Sequence, residues 1–121
     1  MTTRTSGDVG TARAIERAVL DYFEGWFEGD VERMRRALHP DLAKRRAGET
    51  LGLTTAERMI ELTRAGEGRA DADGAPIEIA IADVHGDIAS VVVVGGPYHE
   101  YVHLVRTADG WKIANALWQL R

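Results

Sequence analysis

The N-terminal half of the chain carries its apolar residues at helical spacing. From residue 11 to residue 28 they recur at steps of three and four, which predicts an amphipathic helix with one apolar stripe: Ala12, Ile15, Val19, Tyr22 and Trp26. Gly29 ends this helix, and Asp30 is a favourable N-cap for a second helix, which His39-Pro40 stops. The spacing Thr54-Thr55-Ala56-Glu57 is that of a capping box and opens a third helix. Three N-terminal helices are therefore expected.

After Pro76 the hydrophobic period changes from helical to two. Ile77, Ile79 and Ile81 alternate with smaller or charged residues, which predicts a half-buried strand. Three more strands are predicted over residues 88–94, 98–107 and 111–120, separated by glycine-containing turns. This order of elements predicts an α+β domain in which the helices cover one face of a curved antiparallel sheet of four or more strands.

The loop Ala108-Asp109-Gly110 sets the predicted register of the last two strands. With Gly110 left-handed in a three-residue loop, Thr107 faces Trp111 and His103 faces Asn115. One sheet face then carries His99, Tyr101, His103, Val105, Trp111, Ile113, Asn115 and Leu117. The opposite face carries Glu100, Val102, Leu104, Ala114, Ala116 and Trp118.

These two faces differ in chemistry. The first mixes polar and aromatic side chains, as the lining of a ligand pocket does, and is predicted to be the concave face. The second is apolar with small alanines, so another sheet could approach it closely. It is predicted to form a homodimer interface through Val102, Leu104, Ala114, Ala116 and Trp118.

Composition narrows the class of protein. A length of 121 residues fits one domain, predicted over residues 11–121 after a polar tail (residues 1–10) that we expect to be disordered. The net charge of −4 argues against a nucleic-acid or membrane partner, and no apolar run approaches the roughly 20 residues of a membrane span. With no cysteine, the chain has neither disulfides nor thiolate sites, and a cytoplasmic location is expected.

Three stretches carry a family resemblance: Tyr22-Phe23-Glu24-Gly25-Trp26 with Gly29-Asp30, Leu38-His39-Pro40-Asp41-Leu42, and Ala108-Asp109-Gly110-Trp111-Lys112-Ile113. In this order and spacing the chain resembles the nuclear transport factor 2-like superfamily, and most of all its lumazine-binding and SnoaL-like branch. The resemblance implies a cone-shaped α+β half-barrel with a pocket between helices and sheet, usually dimeric. It implies no single activity, because the fold hosts isomerases, cyclases, dehydratases, hydrolases and non-catalytic binders.

The ketosteroid isomerases of this superfamily offer the sharpest comparison. In a gap-free alignment from Tyr22, that residue falls on their oxyanion-hole tyrosine, and His103 falls on their second oxyanion-hole acid. Arg46 falls where they place the aspartate that shuttles the proton. An arginine cannot abstract a proton at neutral pH, so the resemblance argues against ketosteroid isomerisation by that mechanism.

The candidate catalytic residues are His103, Tyr22 and Asn115. His103 is interpreted as a general acid/base held by Asn115 across the strand pair, with Tyr22 and Asn115 as donors to a carbonyl or oxyanion. The alternative is that His103 is a buried core histidine whose hydrogen bond is made by Asn115 or Tyr22. The candidate ligand-binding residues are Trp26, Arg46, Met59, His99, Tyr101 and Trp111. Arg46 belongs to the run Lys44-Arg45-Arg46, of which at most one or two side chains can face a pocket, because strand residues alternate.

Neither a metal nor a cofactor is expected. His99 and His103 lie four residues apart on one strand, or roughly 13 Å, which is too far to share one ion. A zinc site usually needs at least three protein ligands. Glycine-rich phosphate loops, nucleophile elbows and dinucleotide fingerprints are missing from the sequence.

Two hypotheses of different classes remain open at this point. In the first, the chain binds a small, largely apolar organic molecule and performs acid/base chemistry such as cyclisation, isomerisation or dehydration. In the second, it is a non-catalytic binding or dimeric assembly module, or its pocket is filled by its own side chains. An open cavity favours the ligand hypotheses, whereas a packed interior contradicts them.

Overall fold

The computed structural model describes residues 6–121, and the side chains from residue 9 onward. Its helices are α1 (Ser6–Glu28), α2 (Val31–Ala37) and α3 (Ala56–Arg64), followed by a 3₁₀ turn (Arg69–Asp71). Its strands are β1 (Leu38–Arg46), β2 (Leu53–Thr54), β3 (Glu78–His85), β4 (Ile88–Gly95), β5 (Tyr98–Thr107) and β6 (Gly110–Leu120). The three predicted helices and four predicted C-terminal strands are confirmed.

The strands form one mixed sheet in the order β2-β1-β6-β5-β4-β3. The strands β3 to β6 make an antiparallel meander, and β1 lies parallel beside β6, with Lys44 opposite Ala116. The helices cover one face of this sheet, and the sheet does not close on itself. The predicted α+β architecture is therefore confirmed, with β1 adding a parallel pairing to a sheet that was predicted to be antiparallel.

The first helix begins earlier than the periodicity indicates. It starts at Ser6 rather than at Thr11, so the second half of the predicted disordered tail is helical. Residues 1–5 of that tail lie outside the described residues. Only the part after Thr11 carries the apolar stripe that packs on the sheet, which is why the hydrophobic pattern did not reveal the first turns.

Side-chain caps define the starts of the two shorter helices. The Asp30 carboxylate accepts a hydrogen bond from the Arg33 backbone N–H at 3.1 Å, so the predicted N-cap of α2 is confirmed. In α3 the cap is Thr55, whose hydroxyl accepts from the Arg58 N–H at 3.2 Å. The predicted capping box began at Thr54 and is therefore wrong by one residue.

The hairpin between β5 and β6 contains a bulge that the sequence did not reveal. Next to the loop, Thr107 pairs with Gly110 and Leu104 pairs with Ile113, which differs by one residue from the predicted register. A shift between His103 and Leu104 leaves Ala114 without a partner on β5. Beyond this bulge, His103 pairs with Asn115 as predicted.

Beyond the bulge, the two sheet faces are the reverse of the prediction, whereas Trp111 and Ile113, before the bulge on β6, are buried on the inner side as predicted. Val102, Leu104 and Ala116, predicted to lie in a dimer interface, are at most 5% exposed and pack in the core under the helices. Tyr101 and Leu117, predicted to face the pocket, are 53% and 43% exposed on the outer face. The physical reason is that the apolar stripe of α1 needs an apolar partner, and the face rich in valine, leucine and alanine supplies it.

Candidate functional site

A cavity of about 100 Å³ lies between the helices and the inner sheet face. Its lining is mostly aromatic and aliphatic, and it contains one lysine and one glutamate. The lining residues are Tyr22, Phe23, Trp26, Lys44, Thr54, Met59, Leu62, Tyr98, Glu100 and Trp118. A mainly apolar cavity with a few converging polar groups is typical of a small-molecule site.

Each ionisable group of the cavity is placed by a regular element. Tyr22 lies on the sheet-facing side of α1, one turn before Trp26. Glu100 projects inward from β5, on the same side as buried Val102. Lys44 projects inward from β1 because strand residues alternate, which puts it on the side of buried Leu42.

The Tyr22 hydroxyl donates a hydrogen bond to the Glu100 carboxylate. Both residues are buried, at 3% and 2% exposure. Burial and the nearby negative charge of Glu100 together raise the pKa of Tyr22 well above its ordinary value. The phenol therefore stays protonated and keeps donating to Glu100.

The Lys44 ammonium is the cation of the cavity. Its side chain is 12% exposed, and Nζ lies 3.9 Å from Glu100 Oε1, which is longer than a direct hydrogen bond. Nζ also lies over three aromatic rings, at 5.0 Å from the centroid of Tyr22, 5.9 Å from Trp26 and 5.4 Å from Trp118. Burial lowers the pKa of Lys44, and the charge of Glu100 offsets this only in part.

Nζ of Lys44 is open to the cavity. Among the described residues, no fully enclosed side-chain nitrogen or oxygen lacks a hydrogen-bond partner. Nζ makes no hydrogen bond to those residues, since its ionic partner Glu100 is 3.9 Å away. It is therefore reached from the cavity space, where its three N–H donors are available to a ligand.

A second hydrogen-bonded chain borders the cavity. Trp26 Nε1 donates to the Tyr98 hydroxyl at 3.0 Å, and Tyr98 in turn donates to the Asp71 carboxylate of the 3₁₀ turn. Burial, helped by the bond to Asp71, raises the pKa of Tyr98 to about 12. A Cβ on Gly68 would overlap Trp26, so the 3₁₀ turn can pack this closely on α1 only with glycine there.

Three of the sequence-predicted site residues lie together in the cavity. Tyr22, Trp26 and Met59 all line it. All three lie on the apolar face of an amphipathic helix, and such a face packs on the sheet. The helical spacing was therefore enough to predict that these side chains point inward.

Four others lie on the outer face, away from the cavity. His103 and Asn115 are neighbours, as predicted, with Asn115 Nδ2 at 3.5 Å from His103 Nδ1, but both are exposed. His99 and Tyr101 contact each other edge to face, with ring centroids 5.3 Å apart. The prediction that these residues face the pocket between helices and sheet is wrong, because their register is as predicted but the face that they share is the outer one.

Arg46 and Trp111 lie outside the cavity lining as well. Arg46 is exposed, and its guanidinium lies 5.0 Å from the ring centroid of Trp118. Trp111 is 7% exposed within the core and has Arg106 at 5.8 Å from its ring centroid. One residue of the basic run does face the pocket, as expected, but it is Lys44 rather than Arg46.

The sequence prediction missed Lys44, Glu100, Tyr98 and Trp118 as site residues. One signal was available for Glu100. It has the same strand parity as Val102 and Leu104, and a single acid on an otherwise apolar face is unusual because burying a charge is costly. For Lys44 the signal was weaker, because any of the three basic residues of its run could have faced inward.

Among the side chains that the structure describes, from residue 9 onward, no three of histidine, aspartate or glutamate gather as a metal site would require. None of the helices in this part of the chain is both long and apolar enough to cross a bilayer.

Helices packed over a curved sheet, with a cavity enclosed between the two layers, define the nuclear transport factor 2-like class of proteins. The model of the family described as "Putative lumazine-binding" matches residues 10–119. The chain therefore belongs to this family. No curated protein sequence matches the chain.

Solved structures share the fold at low sequence identity. An NTF-2 like protein from Silicibacter pomeroyi DSS-3 is 20% identical, with a TM-score of 0.70 over 98% of this chain and 100% of that one. A protein from Shewanella frigidimarina described as a "putative ketosteroid isomerase" is 21% identical, with a TM-score of 0.61 over 90% and 97% of the two chains. A "putative dehydratase" from Streptomyces avermitilis is 18% identical, with a TM-score of 0.60 over 96% and 99%.

Proposed function

We propose that this protein binds a small organic molecule that combines a planar, apolar body with an acceptor oxygen, in the cavity between α1 and the sheet. The observation that carries the proposal is the Lys44 ammonium, which opens onto an aromatic cavity with no hydrogen-bonded partner. A carbonyl or carboxylate oxygen of a ligand would accept from Nζ. The name of the lumazine-binding family supports the same kind of ligand, a planar ring with carbonyl groups.

The size and lining of the cavity restrict the ligand. An engineered protein cavity of about 150 Å³ holds benzene, so a space of about 100 Å³ suits a molecule of one small ring or less. Trp26, Trp118 and Met59 supply flat and adaptable contacts for its apolar part. A bicyclic molecule such as lumazine would require the cavity to widen.

Acid/base chemistry on the bound molecule is the second candidate function, and Glu100 favours it. This carboxylate lies in the cavity between a phenol donor and a cation, where it could move a proton to or from a ligand. The names of the two similar structures, an isomerase and a dehydratase, describe reactions of this type. In this proposal Glu100, rather than His103, is the general acid/base, because the Glu100 side chain lines the cavity.

Tryptophan fluorescence tests the binding proposal directly. Two of the three tryptophans, Trp26 and Trp118, line the cavity, whereas Trp111 does not. We expect a saturable change in emission on titration with single-ring ketones and aromatic carboxylates, and with lumazine as the bicyclic probe. Lys44→Met should weaken binding of the oxygen-bearing ligands about tenfold or more, the value of one lost charge-assisted hydrogen bond.

Lys112→Met is the matched control, because Lys112 is the other lysine of the chain and lies outside the cavity. It should leave the binding curves unchanged. The proposal would be contradicted if the two lysine variants bound the ligands with equal affinity, or if no ligand gave a saturable change in emission.

We also propose that the outer sheet face pairs with a second copy of the chain. Of the residues predicted for this interface, Val102, Leu104 and Ala116 are buried under the helices, Trp118 lines the cavity, and Ala114 is half-buried at the bulge. The outer face is nevertheless apolar at its centre. Tyr101 and Leu117 lie side by side there and are about half exposed. An open apolar sheet face of this kind is usually covered by another protein surface.

A further inference from the structure

We propose that Lys44 captures carbonyl compounds covalently, by forming a reversible imine between Nζ and an aldehyde or ketone bound in the cavity. This inference rests on the proposed binding function and names the chemical class of its ligand. It is carried by the position of a single amine at the wall of an apolar cavity, beside a carboxylate that is close enough to exchange protons with it.

The first requirement for imine formation is an amine that a ligand can reach. Nζ faces the cavity and makes no hydrogen bond to the described residues, so its attack on a ligand breaks no hydrogen bond. The other lysine differs in this respect. Lys112 Nζ donates to the backbone carbonyl of Arg36 at 2.7 Å and lies outside the cavity.

The second requirement is the neutral amine, because only the free lone pair attacks carbon. Burial lowers the pKa of Lys44, which increases the fraction of neutral amine at a given pH. Glu100 Oε1, at 3.9 Å, can accept the proton that the ammonium gives up through one bridging water.

The proposed reaction is balanced with the groups that are present. The ammonium passes one proton to Glu100, and the amine lone pair attacks the carbonyl carbon while the carbonyl electron pair moves to oxygen. A second proton moves from nitrogen to that oxygen, and Glu100 returns the first proton, so that the hydroxyl leaves as water. The product is a protonated imine, in which nitrogen keeps one proton and Glu100 is again a carboxylate.

The cavity stabilises the product as well as the starting ammonium. The protonated imine keeps its positive charge next to Glu100 and within reach of the Tyr22, Trp26 and Trp118 rings. Tyr22 donates to Glu100 and so holds the carboxylate in place. The apolar walls also disfavour water, which is a product of the forward reaction and the reactant that would hydrolyse the imine.

Reductive trapping tests this inference. The folded protein would be incubated with propanal or with acetone in the presence of cyanoborohydride, which converts an imine into a stable secondary amine. Peptide mass mapping would then compare alkylation at the two lysines over time. We expect labelling at Lys44 to be at least about tenfold faster than at Lys112, because the cavity holds the carbonyl compound next to Nζ of Lys44, whereas Lys112 lies outside the cavity.

Three variants separate the possible outcomes. Lys44→Arg keeps the positive charge but has no amine that can form an imine, so it should abolish trapping at residue 44. Lys112→Arg should leave trapping at Lys44 unchanged. Glu100→Gln should slow labelling at Lys44 but not at Lys112, and circular dichroism would verify that each variant is folded.

Equal labelling of both lysines, or labelling of Lys112 alone, would overturn the inference. If ligands still bind while Lys44 stays unlabelled, the imine is refuted and the binding function stands. If no ligand binds and no label is found at Lys44, both proposals fail.

Discussion

At the scale of single residues, the cavity depends on how three buried polar groups satisfy one another. Glu100 is a buried carboxylate, and an isolated buried charge would be strongly unfavourable. The Tyr22 hydroxyl supplies a hydrogen bond and Lys44 supplies the opposite charge at 3.9 Å. Lys44 can react with a ligand without breaking a hydrogen bond, whereas Tyr22 and Glu100 are bonded to each other. The proposed chemistry is therefore assigned to Lys44.

Removing the Tyr22 hydroxyl should destabilise the fold. Tyr22→Phe keeps the ring but takes one donor away from the buried Glu100 carboxylate. A hydrogen bond to a charged group contributes about 1.5–3 kcal/mol, so we expect the free energy of unfolding to fall by that amount. Urea denaturation at neutral pH measures it.

Tyr101→Phe is the matched control, because Tyr101 is 53% exposed on the outer face. It should change the free energy of unfolding by no more than about 0.5 kcal/mol. Equal losses in the two variants would mean that the bond between Tyr22 and Glu100 contributes nothing particular to the fold.

At the scale of elements, the corner between α1 and α2 is fixed by one buried carboxylate. Asp21 of α1 is 5% exposed and accepts hydrogen bonds from Arg33 at 3.0 Å and from Arg36 at 3.0 and 3.1 Å, both on α2. Burial acts to raise the pKa of Asp21, but the hydrogen bonds from Arg36 and Arg33 outweigh it and lower the pKa below 3.8. The carboxylate therefore links α2 to α1, the helix that contributes Tyr22, Phe23 and Trp26 to the cavity.

This link should make the stability depend on pH in acid. The folded-state pKa of Asp21 lies below the unfolded value, so its contribution is fully present above pH 3.8 and is lost as the pH falls through the folded-state pKa. Asp21→Asn should therefore lower the free energy of unfolding at pH 7, and the difference from the wild type should shrink below about pH 4. Denaturation series at several pH values measure it.

Asp109→Asn serves as the control, since Asp109 is exposed in the β5–β6 turn. We expect it to leave the free energy of unfolding unchanged. A difference for Asp21→Asn that stays constant from pH 7 to pH 3 would contradict the assigned role of the ion pair.

The β5–β6 hairpin shows how one inserted residue limits prediction at this scale. The bulge at Ala114 lets Trp111 and Ile113 be buried near the loop while Ala116 is buried beyond it. In a regular hairpin, side chains along β6 would alternate between the two faces without interruption. Ala116 would then lie on the face opposite to Trp111 and Ile113. The sequence contains both buried groups, but nothing in its composition marks where the parity changes.

At the scale of the whole molecule, the helices cover only one of the two sheet faces. The outer face keeps the paired Tyr101 and Leu117 exposed, flanked by His99 and His103. Sheet faces left open in this way are either polar or covered by a partner. Since the centre of this face is apolar, we expect two copies of the chain to pack through it.

Sedimentation velocity over a concentration series tests this expectation. The wild type should sediment as a dimer, and Leu117→Glu should shift it to the monomer by placing a charge in the interface. Leu51→Glu is the control, because Leu51 is also exposed, at 50% against 43% for Leu117, but lies in the segment before β2. A monomeric wild type, or the same shift in both variants, would contradict the dimer.

Much of the fold could be predicted from the sequence, because local patterns determine it. The apolar stripe of α1, the Asp30 cap, the change to a period of two after Pro76 and the hairpin turns each act over a few residues. The same stripe correctly placed Tyr22 and Trp26 against the sheet. The part of the site contributed by α1 and α3 was therefore accessible without a structure.

The sequence by itself determined three helices, a C-terminal antiparallel meander and an inward-facing Tyr22. Only the tertiary structure decided which face of that meander the helices cover, and therefore that Glu100 and Lys44, rather than His103 and Arg46, meet Tyr22. The physical reason is that strand parity divides residues into two faces without saying which face is inside. That choice depends on the apolar area each face offers to the helices, summed over strands that are distant in the chain.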